Sequence, residues 1–98
     1  MPAYVILGDY TQQGITNIKD SPRRLASSRR LAETCGARMK DFYLTMGAHD
    51  FVAVMEADGD EAVVRFALAV GARGNARTET LKAFPESDYR KIVQSLPA

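Results

Sequence analysis

The segment Phe42–Ala57, FYLTMGAHDFVAVMEA, decides the fold. Its two halves alternate apolar and polar residues, and Gly47-Ala48 interrupts them. That is the pattern of two antiparallel strands joined by a tight turn. With Gly47 and Ala48 as the loop, Met46 pairs with His49, Thr45 with Asp50, Leu44 with Phe51, Tyr43 with Val52 and Phe42 with Ala53. Alternation then places Phe42, Leu44, Met46, His49, Phe51, Ala53 and Met55 on one face, which is apolar enough to be a core. The other face carries Asp41, Tyr43, Thr45, Asp50, Val52, Val54 and Glu56. It is too apolar to be left in water and too polar for a dry interior. A second subunit's sheet satisfies such a face, and so does a ligand held against it; two facing sheets around a cavity satisfy it both ways.

Working outward, AYVILGDYT (3–11) is rich in β-branched and aromatic residues and reads as a first strand. QQGITNIKD is a polar connection, with Gly14 at a bend and Ile15 and Ile18 expected to tuck beneath it. The next segment, DSPRRLASSRRLAETCG, has helix punctuation: Ser21 suits the N-cap, Pro22 the first turn and Gly36 the stop. Strands are expected over 37–47, 49–57 and 75–85. A second helix is expected from Asp60 to Val70, ended by Gly71 and Gly74. A last helix carries Tyr89, Ile92, Val93 and Leu96 on its apolar side. The order βαββαβ plus a terminal helix predicts an α+β, ferredoxin-like sandwich: a four-stranded antiparallel sheet, both main helices on one face, in one domain spanning 1–98.

Composition limits the function. The chain has 98 residues and a formal net charge of +1, so no overall field draws it to nucleic acid or a membrane surface. A single cysteine, Cys35, rules out an intrachain disulfide and reads as a reduced, semi-buried residue. No apolar run approaches the roughly 20 residues of a membrane span. The start MPAYVILGDY lacks a basic leader region, so a cytoplasmic location is expected. One histidine and one cysteine give no zinc or iron signature, and no metal or cofactor is expected. The glycines of GARGN (71–75) follow a helix rather than precede one, which excludes a phosphate loop. No nucleophile-elbow motif exists.

Two constellations are candidates for chemistry. His49 and Asp50 are the acid–base pair near the hairpin, although neighbours on a strand point to opposite faces. His49 then belongs to the core side, where it packs and hydrogen-bonds, and Asp50 to the open face as an acceptor for turn amides. Tyr43, Asp50, Glu56, Arg77 and Glu79 are the candidate ligand-binding set. Arg77 and Glu79 share a face of the fourth strand; which face is left open by the sequence. These groups suit a small anionic or phenolic ligand, or else a set of interfacial ion pairs. Arg23, Arg24, Arg29 and Arg30 read as a solvated helix face.

YVILGDYTQQGI, FYLTMGAHDFVAVMEA, DEAVVRFALAVGARGNARTETLKAF and the terminal ESDYRKIV together resemble the GYD-domain family, over about residues 4 to 94. The family's Gly-x-Tyr-Asp signature corresponds to Gly47-Ala48-His49-Asp50, with histidine in place of tyrosine. EADGD replaces the usual EAPDD turn. The resemblance implies a small bacterial or archaeal protein of the dimeric α+β barrel type, with two sheets packed face to face. That superfamily includes small-molecule sensors, cofactor-free monooxygenases and lactone isomerases, while the family brings no established activity. The preferred reading is a homo-oligomeric small-molecule binding protein using its open sheet face. The alternatives are a cofactor-independent enzyme on a small aromatic or lactone-like substrate, with Tyr43, His49 or Asp50 as acid–base groups, and a structural or regulatory subunit.

Overall fold

The computed structural model describes every residue from Met1 to Ala98. The elements are β1 (Ala3–Tyr10), α1 (Gln12–Thr16), α2 (Ser21–Cys35), β2 (Ala37–Leu44), β3 (Phe51–Ala57), α3 (Asp60–Ala72), β4 (Ala76–Ala83) and α4 (Glu86–Gln94), with a 3-10 turn over Ile18–Asp20. The sheet order is β2-β3-β1-β4 and every pairing is antiparallel. This is the ferredoxin-like plan.

Local chemistry explains most boundaries. Gly36 ends α2 with φ +92°, a left-handed cap that favours glycine. Asp20, not Ser21, is the N-cap of α2, because the preceding 3-10 turn already runs into the helix and takes Ser21 into helical φ and ψ. The polar connection holds a short helix, α1, capped by the Thr11 hydroxyl, which accepts from Gly14 N–H at 3.1 Å. Gly14 is thus not a bend residue. It is buried against the 73–75 turn, and a Cβ there would lie 2.0 Å from the Asn75 carbonyl oxygen. Ile15 and Ile18 do not tuck beneath this segment; both are exposed.

The hairpin has the expected register from Asp41 to Leu44: Leu44 faces Phe51, Tyr43 faces Val52 and Phe42 faces Ala53. The turn is longer than two residues. Thr45 closes it, its N–H donating to the Asp50 carbonyl at 2.9 Å and its hydroxyl to the His49 carbonyl at 2.7 Å. Met46 therefore does not pair with His49. Leu44 and Met46 are 73 % and 99 % exposed, so the expectation that they join the core fails: the helices do not cover the hairpin tip. A bulge between Met39 and Asp41 inserts Lys40, which keeps both Met39 and Phe42 on the helix side.

The core lies between the sheet and the α2–α3 pair. Tyr4, Ile6, Met39, Ala53 and Met55 come from the strands, Ala32 and Cys35 from α2, and Val63 and Phe66 from α3. Gly8 faces Phe51 across the β1–β3 ladder; the Phe51 ring occupies the place of its missing side chain, and a Cβ would lie 2.0 Å from that ring. Six of the fourteen buried hydrophobic residues are alanines, which gives a thin core. The terminal helix α4 contributes nothing to it. None of its residues is buried; Tyr89, Ile92 and Val93 face solvent, and Leu96, expected on the same side, lies exposed beyond the helix end at Gln94.

Candidate functional site

The register fixes the open face row by row. Tyr43, Val52, Leu7 and Glu79 lie side by side across the four strands. The next row is Asp41, Val54, Val5 and Leu81, and beyond it lie Arg38, Glu56, Ala3 and Ala83. Arg77 faces Asp9 and so joins Glu79 on this same face, which answers the question left by the sequence. The centre is an apolar stripe of Val5, Leu7, Val52, Val54 and Leu81. The four central residues are half-buried, Leu81 is exposed, and no element of this chain lies over them.

The two ends of the stripe differ in charge. At one end Arg38 donates to the Glu56 carboxylate, and Lys40 Nζ stands 3.7 Å from its other oxygen. The hydrogen bond from Arg38 holds the Glu56 carboxyl below the usual glutamate range, helped by the charge of Lys40. This end therefore has two cations to one carboxylate. At the other end Asp9, Asp50 and Glu79 accompany Arg77 and His49. His49 Nδ1 lies 3.3 Å from Asp9 Oδ2. Asp9 shares the parity of Val5 and Leu7, so His49 reaches the open face and not the core side expected of it. The longer turn frees His49 from strand alternation. Asp50 uses its carboxylate on the Tyr10 backbone N–H at 2.9 Å, while its own N–H donates to the Gly8 carbonyl. It is an amide acceptor as expected, but for β1 rather than for the turn.

The candidate ligand set does not converge within one subunit. Tyr43 and Glu79 are three strand spacings apart, about 14 Å. Glu56 lies four residues along β3 from the Tyr43 row, about 13 Å away. No group of three or more His, Cys, Asp and Glu side chains is arranged to hold a metal ion.

A third cluster surrounds the start of α3. The Tyr4 hydroxyl donates to Asp60 Oδ1 at 2.5 Å, and Lys82 Nζ stands 3.1 Å from the same oxygen. The hydrogen bond to Asp60, together with burial and the negative charge of Asp60, pushes the Tyr4 phenol up to about 12. The same hydrogen bond, with Lys82, holds the Asp60 carboxyl below its ordinary value. The cluster ties β1, α3 and β4 together.

A concavity absent from the sequence reading lies on the other side of the sheet. A cavity of about 440 Å³ opens between the sheet and the two main helices. Its floor is Ile6, Phe42, Phe51 and Ala53, and Phe66 and Val70 of α3 form one wall. The cause is compositional. The face that α2 turns to the sheet reads Leu25, Ser28, Ala32 and Cys35, and small side chains leave space that Ala67 of α3 does not fill. A stripe of serine and alanine at helical spacing was the available signal. Neither His49 nor Asp50 lines this cavity.

A βαββαβ order folded into a four-stranded antiparallel sheet with one face uncovered defines a protein of the ferredoxin-like class. More narrowly, the chain belongs to the GYD domain family, whose pattern matches residues 4–93. It is 33 % identical over 89 residues to the "Glutamine synthetase and cystathionine beta-lyase binding protein" of Thermus thermophilus, a match that covers 90 % of this chain and 94 % of the relative. No helix is long and apolar enough to cross a membrane.

Proposed function

We propose that this protein is a homo-oligomeric binding protein that closes its open sheet face against a second copy and associates with metabolic enzymes. The observation that carries the self-association is the uncovered stripe of Val5, Leu7, Val52, Val54 and Leu81. The oppositely charged ends of that face set the orientation. A two-fold axis running across the strands lays the Arg38–Lys40 end of one copy over the Asp9–Glu79 end of the other. Tyr43, Asp50, Glu56, Arg77 and Glu79 then become the polar rim of the interface instead of one subunit's ligand site.

The enzyme partners follow from the relative's name. Glutamine synthetase and cystathionine β-lyase are the first candidates, and the surface left for them is α4. Its apolar side, Tyr89, Ile92 and Val93, has the i, i+3, i+4 spacing of a helix that docks into a groove. The test is titration of each enzyme from the source organism with the protein and with Ile92→Glu. Saturable binding by the wild type and its loss in Ile92→Glu is the expected result. No binding of either enzyme rejects the partner assignment, and binding unchanged by Ile92→Glu rejects α4 as its surface.

A further inference from the structure

We propose that the cavity beneath α2 and α3 binds a small amphipathic carboxylate, an organic acid with an aromatic or medium-chain aliphatic body. The inference is independent of self-association and of the enzyme partners, because it concerns the opposite side of the sheet. Its volume of about 440 Å³ falls within the range of small-molecule sites. At about 30 Å³ per water it equals roughly fifteen waters of liquid, which sets the size of the occupant.

Its lining is divided by polarity. Most of the depth is apolar: Ile6, Phe42, Phe51 and Phe66, buried or half-buried, offer no hydrogen bond to a polar guest, and the hydroxyls of Tyr10, Ser28 and Thr78 are the polar groups among them. The mouth is cationic. Arg23, Arg24, Arg30 and Arg73 all contribute to the lining, and no aspartate or glutamate does. Of the four, Arg23 is paired with an acid, Asp20, at 3.0 Å. Arg24 donates to the carbonyls of Gly14 and Asn17, and Arg73 to the Ser27 hydroxyl; these neutral partners fix the guanidinium groups without cancelling their charge. Arg30 has no acidic partner. In a chain with a formal net charge of only +1, this concentrates positive charge at one opening. A guanidinium fork matches a carboxylate, and an apolar depth takes the body behind it. An uncharged apolar guest fills the depth but leaves the arginines unanswered, and an inorganic anion does the reverse.

The experiment is isothermal titration of the full chain with decanoate and with decanol. Decanoate is expected to bind one per chain and about tenfold or more tighter than decanol, the margin of a charge-assisted hydrogen bond. The double variant Arg30→Ala, Arg73→Ala should remove that margin and leave decanol binding unchanged. Ser28→Leu fills the space and should abolish both; Ala67→Leu, from the other helix, serves should Ser28→Leu fail to fold by circular dichroism. Val54→Lys, on the open face, should bind decanoate like the wild type. Equal affinity for decanoate and decanol, no binding of either, or loss in Val54→Lys with retention in the cavity-filling variants overturns the proposal.

Discussion

Tyr4, Asp60 and Lys82 form a side-chain cluster that couples the protonation of two groups to the fold. The Tyr4 phenol stands at about 12 in the folded chain against 10 ordinarily, so the folded state holds its proton more tightly than the unfolded state. That contribution is full below pH 10 and is lost as pH rises through about 12. Asp60 has the opposite sign. Its folded value lies below the ordinary 3.8, so its contribution is present above that pH and is lost on acidification through the folded value. Of the four tyrosines, one is expected to ionise near pH 12 in a phenolate titration at an ultraviolet wavelength, and Tyr4→Phe should remove that step and flatten the alkaline loss of stability. Gly8 and Gly14 are positions of close approach. Either alanine variant should cost about 1–3 kcal/mol in urea unfolding, with Gly14→Ala the worse because it meets backbone instead of a ring. The roles of these glycines were not legible in the sequence, since each depends on a residue distant along the chain. The face of His49 was misread for a related reason: a turn two residues longer than supposed frees it to reach Asp9.

Each element could be read from the sequence to the extent that its ends carry their own chemistry. Pro22, Gly36 and the acidic start of α3 mark their helices, and the β2–β3 register from Asp41 to Leu44 follows from centring the turn on Gly47-Ala48. The Lys40 bulge has no local signature, and neither has the point where the helices cease to cover β2. Leu44 and Met46 were therefore assigned to a core that does not reach them. The contrast between α3 and α4 is testable. Phe66 is 3 % exposed, and Phe66→Ala should cost about 3–5 kcal/mol. Ile92 is 46 % exposed, and Ile92→Glu should change stability by less than about 0.5 kcal/mol in the same urea titration. A helix whose apolar side can be charged at so little cost is not held in place by its own chain.

At the scale of the whole molecule, the surface is larger than a compact chain of this mass exposes. A compact 10.8 kDa chain exposes about 5,500 Å², and this one exposes 6649 Å². The excess is on the order of one partner's share of a standard interface, about 800 Å². The radius of gyration, 14.9 Å, exceeds the roughly 12.6 Å of a compact domain of this length. The half-apolar character of the open face was legible in the sequence, because alternation puts Tyr43, Val52 and Val54 on one face with Asp41, Asp50 and Glu56. The cavity was not, because a stripe of serine and alanine signals a gap only when the opposite floor is known. Sedimentation equilibrium of the wild type and of Val54→Lys at micromolar concentration reads out whether the open sheet face closes against a second copy. The expected mass is at least twice 10.8 kDa for the wild type and 10.8 kDa for a folded Val54→Lys. A monomeric wild type, or a Val54→Lys oligomer as stable as the wild type's, would contradict it.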